Sequence, residues 1–290
     1  MLTVLATGPL TTIQDCGRPG HAAMGVRHSG AVDAASYALA NRLVGNKRNA
    51  AALETTFGGL MIRSSEAVEV AVTGSTAPVV LNGRPEGRNA VLVLRSGDML
   101  TIGPPTAGVR SYLAVRGGIE IPQVLGSRST DTLSGIGPAV VKVGDTMAIG
   151  NQIDGHPLLD QAPTADFSSA EVTLRVILGP RNDWFGTSAI DVLQGSAWTS
   201  TNHSNRIGMR LAGPKLPRAQ YGELASEGVV NGALQVPPTG RPTIFLADHP
   251  VTGGYPVIAV LRTTDIALAA QTQPGQVIRF VIDGDIGTVQ

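Results

Sequence analysis

Cysteine and lysine are scarce in this chain, an excess of either charge is absent, and each lack closes off some chemistry. The single cysteine, Cys16, rules out a disulfide framework within the chain and fits a reducing cytosol. Only three of the 22 basic residues are lysines, Lys47, Lys142 and Lys215. None stands between two methionines, so no lysine is set to carry covalent biotin. Twenty-two basic residues balance 22 acidic ones, which leaves no field to attract a nucleic-acid backbone or an anionic membrane. No apolar run approaches the length of a membrane span. The opening MLTVLATGPLTTIQD lacks the basic start and unbroken apolar core of a secretory signal, so a cytoplasmic place is expected.

Local catalytic motifs are missing as well. The five histidines include no HExxH or HxH spacing, and no metal site is expected. VGNKRN at 44–49 lacks the upstream glycine of a phosphate loop, and GIGPAV at 135–140 lacks the third glycine of a dinucleotide fingerprint. Neither a nucleophile elbow nor an SxxK pattern occurs. A chain with no such motif of its own is expected to work as one subunit of a larger enzyme.

What is present is a turn-rich β pattern. The 36 glycines and 19 prolines sit in short clusters between segments that alternate apolar and polar residues. Strands are predicted over 91–94, 99–102, 172–178, 243–246 and 277–281. A Gly-polar turn before an alternating strand recurs in SGDMLTIG, VGDTMAIG and PGQVIRFV, which hints at two similar barrels. Helices are few. The clearest is capped by Asp33, runs through AASYALANRLV and stops at Gly45; another follows Thr264 and ends before Pro274. The polar segment 151–171 reads as a linker, which divides the chain into domains 1–165 and 166–290.

Three stretches concentrate polar groups among glycines. The first, residues 11–33, carries Gln14, Asp15, Arg18, His28 and Ser29 ahead of Asp33, whose simplest role is to cap the helix. The second, residues 108–131, holds Arg110, Arg116, Arg128, Ser127, Ser129, Thr130 and Asp131. Arginine forks beside hydroxyls suit a carboxylate, a carbamate or a phosphate, and they equally make structural pairs. The third, residues 225–261, holds Ser226, Glu227, Gln235, Asp248, Thr252, Gly253, Gly254 and Tyr255. Its paired glycines can turn successive amides toward one anion, with Asp248 placed to orient a donor or take a proton; the competing reading is a tight turn with a capping aspartate.

Taken in order, TTIQDCGRPG, SGAVDAASYALANRLVGN, ALETTFGGL, YLAVRGGI, LGSRSTD, SNRIGMRL, SEGVVNGALQVPP and ADHPVTGGYP resemble the carboxyltransferase subdomain A and B family, which includes allophanate hydrolase subunit 2 and the C component of 5-oxoprolinase. The resemblance covers nearly the whole chain. It implies a mainly β fold with a few short helices, built as two cyclophilin-like β-barrel domains. It also implies a partner that carries the related C and D subdomains, with a third subunit in the 5-oxoprolinase system. Two departures stand out: Val140 and Val141 occupy the place of a usual Gly-Arg pair, and Asn205 replaces a typical acidic residue. The leading expectation is an ATP-dependent 5-oxoprolinase, a lactam hydrolase active only with its partners, in which ATP is bound by or shared with a partner. In it Asp248, Arg116 and Arg128 would be catalytic, and Gln14, Asp15, Arg18, Ser29, Arg110, Ser129, Thr130, Asp131, Ser226, Glu227, Gln235, Thr252, Gly253, Gly254 and Tyr255 would bind the substrate. Alternatives are the carboxyltransferase half of a biotin-dependent urea carboxylase and allophanate hydrolase system, and a regulatory antagonist of a sensor-kinase inhibitor.

Overall fold

The computed structural model describes residues 1–157, 159–220 and 222–283. The chain divides between Ser168 and Ser169 into two compact units.

In the first unit a seven-stranded sheet and a five-stranded sheet share one apolar core. The five-stranded sheet runs Leu10–Gln14, Ala52–Thr56, Arg110–Val115, Val68–Gly74 and Val91–Leu94 in spatial order, every pair antiparallel. Its central strand Arg110–Val115 is buried on both faces because each face has its own partner. Leu113 and Val115 enter the core between the sheets, while Tyr112 and Ala114 pack under helix α1 (Ala34–Leu43). A fully buried side chain of this kind contributes about 1.5–3 kcal/mol, so one strand ties both layers together. Met99–Ile102 has only one face to bury and alternates accordingly.

Helix α1 begins where the sequence places it. Asp33 accepts from the Ser36 amide at 2.9 Å and from the Ser36 hydroxyl at 2.6 Å. The helix stops at Leu43, and Gly45 follows at φ 63°. Under it Tyr37 and Tyr112 meet edge to face, with centroids 6.3 Å apart.

The segment expected to be a linker is, through residue 163, bound to the first unit. Lys47 donates its amide to Gln152, Asp154 donates to Gly45, Val91 donates to Asp160, and Ala162 donates to Asn89. The Asn89 side chain adds a bond to the Pro163 carbonyl at 2.8 Å. Polar composition hid these contacts because they are made by the backbone. Between this strap and α1 lies a cavity of about 430 Å³ that includes Leu39, Leu43, Pro157 and Leu159 in its wall.

The second unit is a closed seven-stranded barrel. Closure comes from Glu171–Leu178 lying parallel to Val277–Ile282, which returns the last strand of the barrel to its first. The predicted strand ends agree to within one residue at Glu171–Leu178, Thr243–Phe245 and Val277–Ile282. A single 3-10 turn, Thr263–Asp265, leads into helix α3 (Ile266–Gln271). Helix α2 (Thr187–Gly195) has no signal in the sequence: Gly186 precedes it and no side chain caps it. It is held instead by packing, with Ala189 and Leu193 buried and the Trp198 indole donating to the Leu193 carbonyl at 3.1 Å.

Candidate functional site

The first and second polar stretches meet in the first unit, at a crossing built around Asp15. The strand Leu10–Gln14 delivers Asp15 to the base of loop 16–30, whose two ends are fastened together. Arg18 donates its amide to the His28 carbonyl at 2.8 Å, and Ala31 donates to the Asp15 carbonyl at 3.0 Å. Gly17 and Gly30 make this closure possible. Both have positive φ, and a Cβ on Gly17 would fall 2.5 Å from the His28 carbonyl oxygen.

Loop 127–131 wraps onto this closure. The Asp15 carboxylate accepts from the Ser127 hydroxyl at 2.6 Å, the Ser129 hydroxyl, the Gly17 amide at 2.8 Å and the Arg128 amide at 2.6 Å. Ser129 Oγ in turn accepts from the Asp15 amide at 3.0 Å. Arg18 Nη2 donates to the Ser129 carbonyl and Nε to the Val124 carbonyl. The Thr130 carbonyl receives Gln14 Nε2 at 2.9 Å and the Ser29 hydroxyl at 3.2 Å. One residue on, Asp131 holds the next turn through the amides of Leu133 and Ser134 and the Ser134 hydroxyl, and accepts from Arg27 Nη1 at 3.3 Å. Asp15, Arg18, Ser127, Ser129, Thr130 and Asp131 are all buried. The expected substrate-binding residues of these two stretches are thus brought together, and most of their polar atoms are engaged with one another.

The arginines expected to clamp an anion are braced by the protein. Arg128 donates Nε to the Ile121 carbonyl and Nη2 to Glu120, both at 2.8 Å, and the Gln152 amide oxygen, turned toward it, lies 3.0 Å from Nη1. Arg116 donates to the Val44 carbonyl at 2.7 Å and the Gly155 carbonyl at 2.9 Å, joining the end of α1 to the strap. Arg110 is buried with its Nε 3.9 Å from Glu54. Glu54, which no sequence motif singles out, is the hub below α1: it accepts from Tyr112 Oη at 2.8 Å and the Val32 amide at 3.0 Å. Burial, with Glu54 and Asp33 beside it, pushes the Tyr112 hydroxyl well above its usual range, so it stays protonated and donates.

The third stretch lies in the second unit. Asp248 is fully buried and faces Arg206 in a two-point fork at 2.9 and 3.0 Å. Both carboxylate oxygens of Asp248 are engaged by this guanidinium, so of the two roles expected for it, orienting a donor or taking a proton, the geometry displays the first. Arg206 was within reach of sequence reasoning, since it sits in the SNRIG motif. Next to this pair, His249 stacks on Phe245 at 6.0 Å.

Glu227–Gly228 pairs with Thr252–Gly253 in a two-stranded ladder. Glu227 also accepts from Arg181 Nε at 2.8 and 3.0 Å, and these hydrogen bonds hold its carboxyl below the usual carboxylate range. Gln235 fixes the ladder from beneath by donating to the Tyr255 carbonyl at 3.1 Å, and it runs so close that a Cβ on Gly253 would lie 2.4 Å from its Nε2. Ser226, Thr252, Gly254 and Tyr255 remain exposed along this ledge. Their hydroxyls and backbone are accessible polar groups of the stretch.

Among the described residues no group of three His, Cys, Asp or Glu side chains is placed to hold a metal ion, and no helix is long and apolar enough to cross a membrane.

Comparison with known proteins adds to this geometry. The family pattern of the carboxyltransferase domain, subdomain A and B, matches residues 24–282. The chain is 37% identical over 284 residues to the C component of 5-oxoprolinase from Escherichia coli (strain K12), covering 97% of this chain and 91% of that protein. It is 34% identical over 309 residues to urea amidolyase of Lachancea kluyveri, covering 96% of this chain and 17% of that one. The solved structure of the K. lactis urea amidolyase superposes with a TM-score of 0.92 at 31% identity, over 98% of this chain and 19% of its own length.

Proposed function

Since the chain belongs to the carboxyltransferase subdomain A and B family, we propose that it serves as one subunit of an ATP-dependent 5-oxoprolinase, opening 5-oxoproline to glutamate beside a partner with the C and D subdomains. The observation that carries this reading is the 37% identity to the C component of 5-oxoprolinase, which runs over 91% of that protein. The system is completed by a third subunit, and the single cysteine suits work in the reducing cytosol.

The chemistry explains why partners and ATP are required. A lactam carbonyl is a poor electrophile because nitrogen feeds electrons into it. Transfer of the γ-phosphoryl group of ATP to the lactam oxygen releases ADP and activates the ring carbon. Water then adds, the C–N bond breaks as the nitrogen takes a proton, and the resulting acyl phosphate is hydrolysed by a second water to the carboxylate and phosphate. ATP is bound by or shared with a partner, and no covalent biotin takes part. In this chain Arg116, Arg128 and Asp248 act as positioning residues, since each holds a loop in place. The Asp15 crossing of the first unit supplies the polar groups that face a small amide substrate.

The test is to purify the chain with its partner subunits and measure glutamate released from 5-oxoproline with and without ATP. ATP-dependent release that requires this chain supports the reading, and a complete complex without release rejects it. The superposition on urea amidolyase favours a second reading, carboxyl transfer from carboxybiotin to urea or a similar amide. Avidin would abolish that activity and would leave an oxoprolinase untouched.

A further inference from the structure

Most polar groups of the Asp15 crossing are hydrogen-bonded, but two neighbouring side chains each keep a buried polar atom without a partner among the described residues. Gln14 Nε2 donates to the Thr130 carbonyl at 2.9 Å and to Thr12 Oγ1 at 3.0 Å. This fixes the amide, because a carbonyl oxygen accepts only and must face the nitrogen. Gln14 Oε1 is thereby turned away, and among the described residues it has no partner. The same holds for the hydroxyl of Thr130, whose carbonyl is the one Gln14 grips. Gln14 is 0% and Thr130 3% exposed. A third atom of the crossing, Arg27 Nε, is likewise buried and unpaired although Nη1 reaches Asp131.

An unpaired buried polar group destabilises a fold, and an apolar residue of equal shape avoids the penalty. Here Gln14 Oε1, Thr130 Oγ1 and Arg27 Nε fall together at one crossing. Their chemistry also selects a guest. Gln14 Oε1 is an acceptor and requires an N–H or O–H; a carboxylate or phosphate oxygen placed there would be repelled. Thr130 Oγ1 is able to donate to a carbonyl, as is Arg27 Nε. An N–H beside a C=O is the edge of an amide, a urea or a lactam.

We propose that Gln14 and Thr130 form the subsite that reads the N–H and C=O edge of a small amide substrate, with Gln14 Oε1 accepting the N–H and the Thr130 hydroxyl donating to the carbonyl. The proposal rests on the amide-substrate reading given above and names the residues that recognise the amide itself, as distinct from any charged group on the substrate.

The experiment uses the complex with its partner subunits, calorimetric titration with 5-oxoproline and separately with urea, and the variants Thr130→Val and Thr130→Ser. Thr130→Val keeps the shape and removes the hydroxyl. Binding of whichever probe the wild type takes should weaken about tenfold, equivalent to about 1.4 kcal/mol, with the melting temperature unchanged or raised. Thr130→Ser should bind within about twofold of wild type, since it keeps the hydroxyl. Wild-type affinity in Thr130→Val overturns the proposal, because the hydroxyl then serves an internal water or nothing. A marked fall in melting temperature, or failure to fold, overturns it too, because the hydroxyl then has a structural task. If the wild-type complex binds neither probe, the amide reading itself falls, and that result is distinct from binding that ignores the substitution.

Discussion

The crossing in the first unit and the third stretch in the second unit fix their loops by opposite means. At the crossing a single carboxylate, Asp15, gathers neutral donors: two hydroxyls and two backbone amides from loops more than 100 residues apart. In the second unit the fastening is by charge, with Arg206 on Asp248 in the interior and Arg181 on Glu227 at the surface. A carboxylate fed by dipoles pins several backbone points around one centre. A guanidinium fork pins two points rigidly, and its worth depends on how much water surrounds it. The difference teaches that burial, and not the presence of charge, sets what each fastening contributes.

The comparison is broken most directly at Arg206. Arg206→Met leaves Asp248 buried without its countercharge, and a loss of about 3–5 kcal/mol in denaturant unfolding is expected. The double variant Arg206→Met, Asp248→Leu should recover most of it. A single-variant loss below about 1 kcal/mol would place this pair with surface pairs. Next in size is Asp15→Ala, which strands two hydroxyls and two amides at once. A cost of about 2–3 kcal/mol is expected, with faster amide exchange at Gly17 and Arg128; exchange that stays slow would show that the loops hold each other without the carboxylate.

Much of the second unit is legible in the sequence because its long strands alternate, as Glu171–Leu178 and Val277–Ile282 do. The cap at Asp33 is legible for the same local reason. Helix α2 is not, since Gly186 gives no capping signal and packing under Trp198 sustains it. Composition groups residues 11–33 with 108–131. It does not reveal Asp15 as their centre, because the Ser127 and Ser129 partners lie 112 and 114 positions away. In the sequence Asp248 reads as orienting a donor, taking a proton or capping a turn, and its pairing is hidden because its neighbour in space, Arg206, is 42 residues distant along the chain.

Two finer tests follow. Leu125 sits at φ 52° in a tight turn closed by Val124 and Ser127, with Gly126 at φ 77°. Such a turn favours asparagine at this place, so Leu125→Asn should raise stability by roughly 0.5–1 kcal/mol, read as a higher unfolding midpoint. The smallest effect concerns Glu227. Arg181 lowers the folded-state pKa of Glu227 from its ordinary 4.5, so the contribution of the pair is fully present above pH 4.5 and fades as the pH falls through the lowered value. Thermal unfolding of Glu227→Gln should therefore show a slightly flatter acid limb than wild type, with the two curves parallel near neutral pH.

Loop 16–30 leaves the five-stranded sheet and returns to it through two glycines whose backbones nearly touch, and Arg18, Arg27 and Ser29, near its base, make hydrogen bonds outside it. Lengthening a loop whose ends are already joined adds little closure entropy, about 0.6 kcal/mol for each doubling. Residues 20–26 are therefore a cassette: they can be exchanged or extended while the Asp15 knot keeps the scaffold unchanged. Such a cassette is where selection, or an engineer, would find room to vary what approaches the crossing.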